Sequence, residues 1–176
     1  MLLALAIVSA LVLLSSIFSA ISLFTYGWAT IYQYDPLFPL LGNSEIYVGL
    51  VPFDSNSFGW LVATSVFMYL NFTCILLCFI FCIIGFLIFM LRGDSKYQKF
   101  VFVCLCGFTF LTALFGAIAF VIFVASYSGE LEDAFQADVS IGYSPFLDLI
   151  GFVIAIIATG VSAFFSIALL NSEDGN

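Results

Sequence analysis

The chain alternates between long apolar runs and short stretches of polar punctuation. Four runs are long enough to cross a hydrocarbon core, which takes roughly 20 helical residues at about 1.5 Å each. They are residues 2–24, about 60–91, 100–127 and 146–170. They are continuous rather than alternating, so they do not suit barrel strands, whereas helices satisfy their own backbone hydrogen bonds in lipid. The pattern therefore predicts an all-α integral membrane fold, a left-handed bundle of four transmembrane helices in one domain, 1–176. Outer segments are expected at 25–57 and 128–145, an inner one at 92–99 and a tail at 171–176. The second run continues without charge back to Phe58, so its first turns are expected to tilt or to stand outside the lipid.

Composition agrees with the pattern. Of 176 residues, 64% are hydrophobic and 8% charged, and the mean hydropathy is +1.26, far from the values of soluble domains. The first run is not read as a signal peptide, because no basic residue precedes it and it is too long for an h-region.

Charge adds a direction. Arg92, Lys96 and Lys99 are all the basic residues present, and they fall together in "RGDSKYQK". Basic residues near helix ends stay on the cytoplasmic side. This predicts a multi-pass membrane protein with both termini cytoplasmic and segments 25–57 and 128–145 outside; the plasma membrane is the expected location, which charge does not itself specify. The outer segments and adjoining helix ends carry Asp35, Glu45, Asp54, Glu130, Glu132, Asp133, Asp138 and Asp148. These acids read as a solvated surface, or as a field that attracts cations or a basic partner.

Candidate chemistry is sparse. The chain has no histidine, no phosphate-binding glycine loop and no nucleophile elbow, so no enzyme activity, no metal and no cofactor are expected. Cys74, Cys78, Cys82, Cys104 and Cys106 all lie in apolar runs, so no disulfide is expected in the outer segments. That excludes a tetraspanin with its cysteine-paired second outer loop. The lack of a Cys-x-x-Cys pair excludes a thiol or quinone reductase. Cys74, Cys78 and Cys82 share a helical face and read as small packing residues, while Cys104 and Cys106, near the inner surface, are candidates for palmitoylation.

Intramembrane polar residues are costly unless paired. Asn71 is expected to hydrogen-bond between helices, and its sequon to be unmodified because it lies within an apolar run. Asp148 is placed at the third position of the fourth helix, where the macrodipole favours an acid. Gly151, Ala155, Thr159 and Ala163, spaced by four, form a small-residue stripe for close helix packing. Ala6, Ala10, Ser15, Ser19 and Ser22 in the first helix, and Gly107, Ala113, Gly116 and Ala117 in the third, are read the same way. The 23 phenylalanines are expected to face lipid or fill gaps between helices.

In the first outer segment, "ATIYQY" and "EIYVGLVPF" have the β-branched and aromatic character of strands, separated by the turn-forming "DPLFPLLGNS". A small antiparallel sheet is expected there, with Trp28, Tyr32, Tyr47, Gly49, Leu50 and Phe53 as its contact residues. Trp28 soon after the first helix, Gly49-Leu50 beyond it and "IGYSPFLDLIGFVIAII" leading into the fourth helix make the chain resemble the claudin and peripheral myelin protein superfamily. That superfamily includes the epithelial membrane proteins and the gamma-type auxiliary subunits of channels and receptors. Its Gly-Leu-Trp motif and cysteine pair are incomplete here: Val51 stands in place of the second Trp, Asp54 where the first Cys would be, and no second Cys follows. Without the disulfide, the sheet is expected to be held by aromatic packing of Trp28 against Tyr32, Tyr47 and Phe53.

The resemblance implies a non-enzymatic protein that works through protein contacts, at cell contacts or in membrane organisation. It equally admits an auxiliary subunit of an ion channel or receptor. The apolar cluster "YDPLFPLL" suits a contact surface. A transporter is disfavoured, since the helices hold no paired charges. Expected partners are membrane lipid and another integral membrane protein, either a like molecule or a channel or receptor. Neither nucleic acid nor a small-molecule substrate is expected.

Overall fold

The computed structural model describes residues 2–33, 44–51, 58–91, 95–135 and 138–173. Along the chain these form α1 (Leu2–Phe24), β1 (Ala29–Gln33), β2 (Ser44–Val48), α2 (Gly59–Leu91), α3 (Ser95–Phe135), β3 (Asp138–Ile141) and α4 (Ser144–Glu173). All four helices contain a stretch long and apolar enough to cross a membrane. They pack in cyclic order, α1 against α2 and α4, α3 against α2 and α4.

Local chemistry sets the helix ends near the sheet. At the end of α1 the amide and hydroxyl of Thr25 both donate to the carbonyl of Ile21, at 3.1 and 2.7 Å, which closes the last turn. The carbonyl of Phe58 accepts from the amides of Leu61 and Val62 and opens α2. Pro145 occupies the first turn of α4, where its missing N–H has no helical partner to lose.

α3 runs well beyond the apolar stretch 100–127 in both directions. Its 41 residues span about 60 Å, twice a hydrocarbon core of about 30 Å. The extra length at one end absorbs much of the expected inner loop. At the other end it carries Leu131, 1% exposed, up against the sheet.

β1 is the centre of a three-stranded antiparallel sheet ordered β2-β1-β3. The third strand lies in the second loop and is absent from the sequence reading. Its signal is the alternation Asp138, Val139, Ser140, Ile141, too short to stand out beside the long apolar runs.

Two apolar cores stack along the bundle. One, under the sheet, joins Leu23, Trp28, Ile31, Leu50, Trp60 and Phe123; the other, toward the α2–α3 junction, joins Leu5, Val8, Cys78, Cys82, Phe102 and Leu105. The bundle also buries Ser15, Ser19, Ser22, Asn71, Thr109, Thr112, Asp148 and Ser162, while Leu13, Ile17, Ile80, Leu87, Phe110 and Phe164 are exposed. Polar groups inside and large apolar ones outside suit a helix bundle in lipid, where association rests on packing and hydrogen bonds rather than on removing apolar surface from water.

Candidate functional site

The sheet has two unlike faces. Cross-strand partners share a face, so Tyr32 stands between Glu45 on β2 and Asp138 on β3, and Thr30 stands between Tyr47 and Ser140. The other face carries Ala29 and Ile31, at 0% and 1% exposure, with Val48 and Val139 packed onto the core beneath. Tyr32 is 38% exposed and Tyr47 56%. The outward face is therefore a row of acid, tyrosine and acid beside a row of tyrosine and hydroxyls. The Tyr47 hydroxyl donates to Glu45 Oε2 at 2.5 Å, and this bond, together with the carboxylate's charge, raises the phenol above its ordinary pKa.

Trp28 does not pack against Tyr32 and Tyr47. Its ring is fully buried, edge-on to Phe123 at 4.9 Å, and its Nε1 donates to the Ser22 carbonyl at 2.7 Å. Trp60, at the start of α2, meets the same phenylalanine at 5.7 Å and stacks on Phe58. Trp60 and Phe123 were not among the residues expected at the sheet; a Trp beside Gly59 opening an apolar run was the available signal for the first. Leu50 is buried at 2%, and a Cβ on Gly49 would press on the backbone and ring of Tyr26. Trp28, Gly49 and Leu50 thus support the sheet from beneath, and Tyr32 and Tyr47 are the ones displayed. Phe53 and the "YDPLFPLL" cluster lie outside the described residues.

All five cysteines are free and lie in α2 and α3. The sheet is tied to the bundle by a clasp of hydroxyls instead. Ser22 Oγ donates to the Ser144 carbonyl at 2.9 Å, and the hydroxyls of Thr25 and Ser144 are 2.7 Å apart. Around this clasp the backbone pairs Trp28 with Val48 and Gly142 and pairs Ser144 with Gly27. A Cβ on Gly142 would overlap the Gly27 carbonyl, so this approach of β1 to β3 requires glycine.

Beside the clasp is an open groove of about 790 Å³, lined by Phe24, Tyr26, Ile46, Tyr47 and Tyr143. It lies where the bundle meets the sheet.

The stripe on α4 divides. Gly151 and Ala155 are buried, and Gly151 lets α1 approach so that Ser15 Oγ donates to its carbonyl at 2.9 Å. Thr159 turns to α3 and donates to Thr109 Oγ1 at 2.9 Å, and Ala163 is only half-buried, while Ala158, Ser162 and Ser166 are the buried residues. Strict spacing of four drifts by about 40° per turn on a helix of 3.6 residues per turn, so one such series cannot follow one neighbour for long. Ala6, Ala10 and Gly107, read as packing residues, are exposed.

Asn71 is fully buried, yet both polar atoms of its amide lack a hydrogen-bond partner. Asp148 is in the second turn of α4, not the first, and its oxygens are likewise without partners. Cys104 and Cys106 are half-buried in α3.

The family model described as "Tight junction protein, Claudin-like" matches residues 1–171. No curated protein matches the chain. Four membrane-crossing helices carrying a small antiparallel sheet, matched over nearly their whole length, place this chain in the claudin-like family of tight junction proteins.

Proposed function

We propose that this claudin-like protein works without catalysis at the plasma membrane, holding its sheet outside the cell to bind another membrane protein in cell contact or membrane organisation. The observation that carries this reading is the displayed row Glu45, Tyr32, Asp138 with Tyr47 beside it, on strands whose other face is anchored to the bundle. Rigid tyrosines flanked by acids suit a partner presenting basic and aromatic groups. Like copies meeting face to face would repel, so self-association would run through strand edges. The orientation follows from Arg92, Lys96 and Lys99, which lie in sequence at the junction of α2 and α3, the far end of the bundle from the sheet.

The test is the double variant Tyr32→Ala, Tyr47→Ala in cells that express the protein and form contacts with neighbouring epithelial cells that do not. Loss of accumulation at contacts, with level and insertion unchanged, is expected. Accumulation equal to wild type overturns the reading.

A second reading, an auxiliary subunit of a channel or receptor, is favoured by the groove at the junction of bundle and sheet, which is placed to take a neighbouring membrane protein. Purification in mild detergent separates the two: a co-isolated channel supports the subunit, and self-oligomers support the contact protein.

A further inference from the structure

Asp148 on α4 and Asn71 on α2 are both 0% exposed, and neither carboxylate oxygen nor either amide atom has a hydrogen-bond partner. They face a common space. The position a Cβ on Gly116 of α3 would take is 3.2 Å from Asn71 Nδ2 and 3.5 Å from Asp148 Oδ1, so those atoms are no further apart than the sum of these distances. From α1, Ser19 Oγ is also buried and unpartnered, 2.9 Å from the position of a Cβ on Gly151, three residues along α4 from Asp148. Each helix contributes: a hydroxyl, an amide and a carboxylate, with Gly116 leaving room on the fourth.

A carboxylate inside a membrane bundle needs a compensating cation, or it takes up a proton. The residues that the neighbouring helices bring to this part of α4, Asn71 and Gly116 beside Asp148 and Ser19 beside Gly151, carry no positive charge. Among the described side chains the basic one is Lys99, roughly 25 Å along α3 from Gly116 at about 1.5 Å per residue, beyond any lysine's reach. The donors are all hard oxygens once the amide is turned with its oxygen inward, an orientation that hydrogen bonds do not fix here. A single carboxylate matches a single positive charge. Calcium and magnesium call for more carboxylate or water, and softer metals for thiolate or imidazole.

We infer that Asp148, Asn71 and Ser19 form a sodium-binding site inside the helix bundle. The ion ties α1, α2 and α4 together one turn beneath the Ser22–Ser144 clasp, so the sheet's anchor is firmest when sodium is bound.

The experiment is thermal unfolding of the purified full chain in neutral detergent at pH 7.5, in sodium, potassium or choline chloride at equal ionic strength. The wild type is expected to melt higher in sodium than in choline, with a saturable dependence on sodium, and Asp148→Asn to lose that difference. Asn71→Leu is expected to raise the sodium midpoint tenfold or more. Equal melting of the wild type in sodium and choline overturns the inference, including the case in which acidification alone stabilises the protein and a proton is the counter-charge. A sodium response that survives in Asp148→Asn overturns it too. If Asp148→Asn does not fold, Ser19→Ala decides by sodium-23 line broadening: broadening reduced relative to wild type supports the site, and equal broadening overturns it.

Discussion

The indole N–H of Trp28 donates to the carbonyl of Ser22, 2.7 Å away and inside the protein, so a residue just before β1 is bolted back to the helix that the chain has just left. The same ring meets Phe123 of α3. One side chain thus ties the start of the sheet to two helices.

Two substitutions separate those roles. Trp28→Phe keeps a ring against Phe123 but leaves the Ser22 carbonyl unpaired, and is expected to cost about 1 kcal/mol. Trp28→Ala removes both and is expected to cost about 3–5 kcal/mol. Unfolding in detergent, followed by near-ultraviolet circular dichroism, measures the difference.

Gly142→Ala is expected to dislodge β3, because the added methyl overlaps the Gly27 carbonyl. Hydrogen exchange should then quicken at residues 138–141 and little elsewhere. Nothing stands within 4 Å of a Cβ at Gly107 or Gly160, so alanine at either site is expected to be neutral or stabilising by up to about 1 kcal/mol through helix propensity.

Gly151→Leu drives a side chain into Ser19 and the backbone of Ser15, forcing α1 away from α4. The expected cost is about 1–3 kcal/mol, read as a lower melting temperature. Gly160→Leu, on the open side of the same helix, serves as the control and is expected to melt as wild type does.

Tyr47 and Glu45 give a prediction in pH. The neutral phenol donates to the carboxylate, so the folded state favours the protonated form and its pKa is raised. The contact is complete below the ordinary phenol value and is lost as pH rises through the folded one. Glu45→Gln removes the charge and should move the Tyr47 titration, followed by phenolate absorbance, to lower pH.

Much of the architecture was legible along the chain because lipid imposes local rules. A helix in a membrane must bond to itself, so length, hydropathy and a few capping residues mark Leu2–Phe24 and its three companions without knowledge of their neighbours. β1 and β2 were legible for a related reason: they follow one another in sequence with strand-forming side chains and turn formers between. β3 was not, because four residues gain meaning only when β1 lies beside them.

The candidate surface was legible in part. Tyr32 and Tyr47 were singled out, but so was Trp28, and composition does not tell a buried aromatic from a displayed one. Their sides of the sheet are decided by the pairing register and by the position of Phe123 and Leu131, which come from the far end of α3.

From sequence alone came the class of protein, the number of its helices, the absence of any cysteine pair in its sheet segments and the residues that make up the first hairpin. Tertiary structure alone decided which polar groups meet inside the bundle, Ser22 with Ser144 and Thr159 with Thr109, and set Asn71 and Asp148 beside Gly116 without a hydrogen bond between them. The reason is rotational. Each helix is specified by its own residues, but the side of it that faces a given neighbour depends on how four rods turn against one another, and a drift of about 40° per turn is enough to move a residue from the core to the lipid.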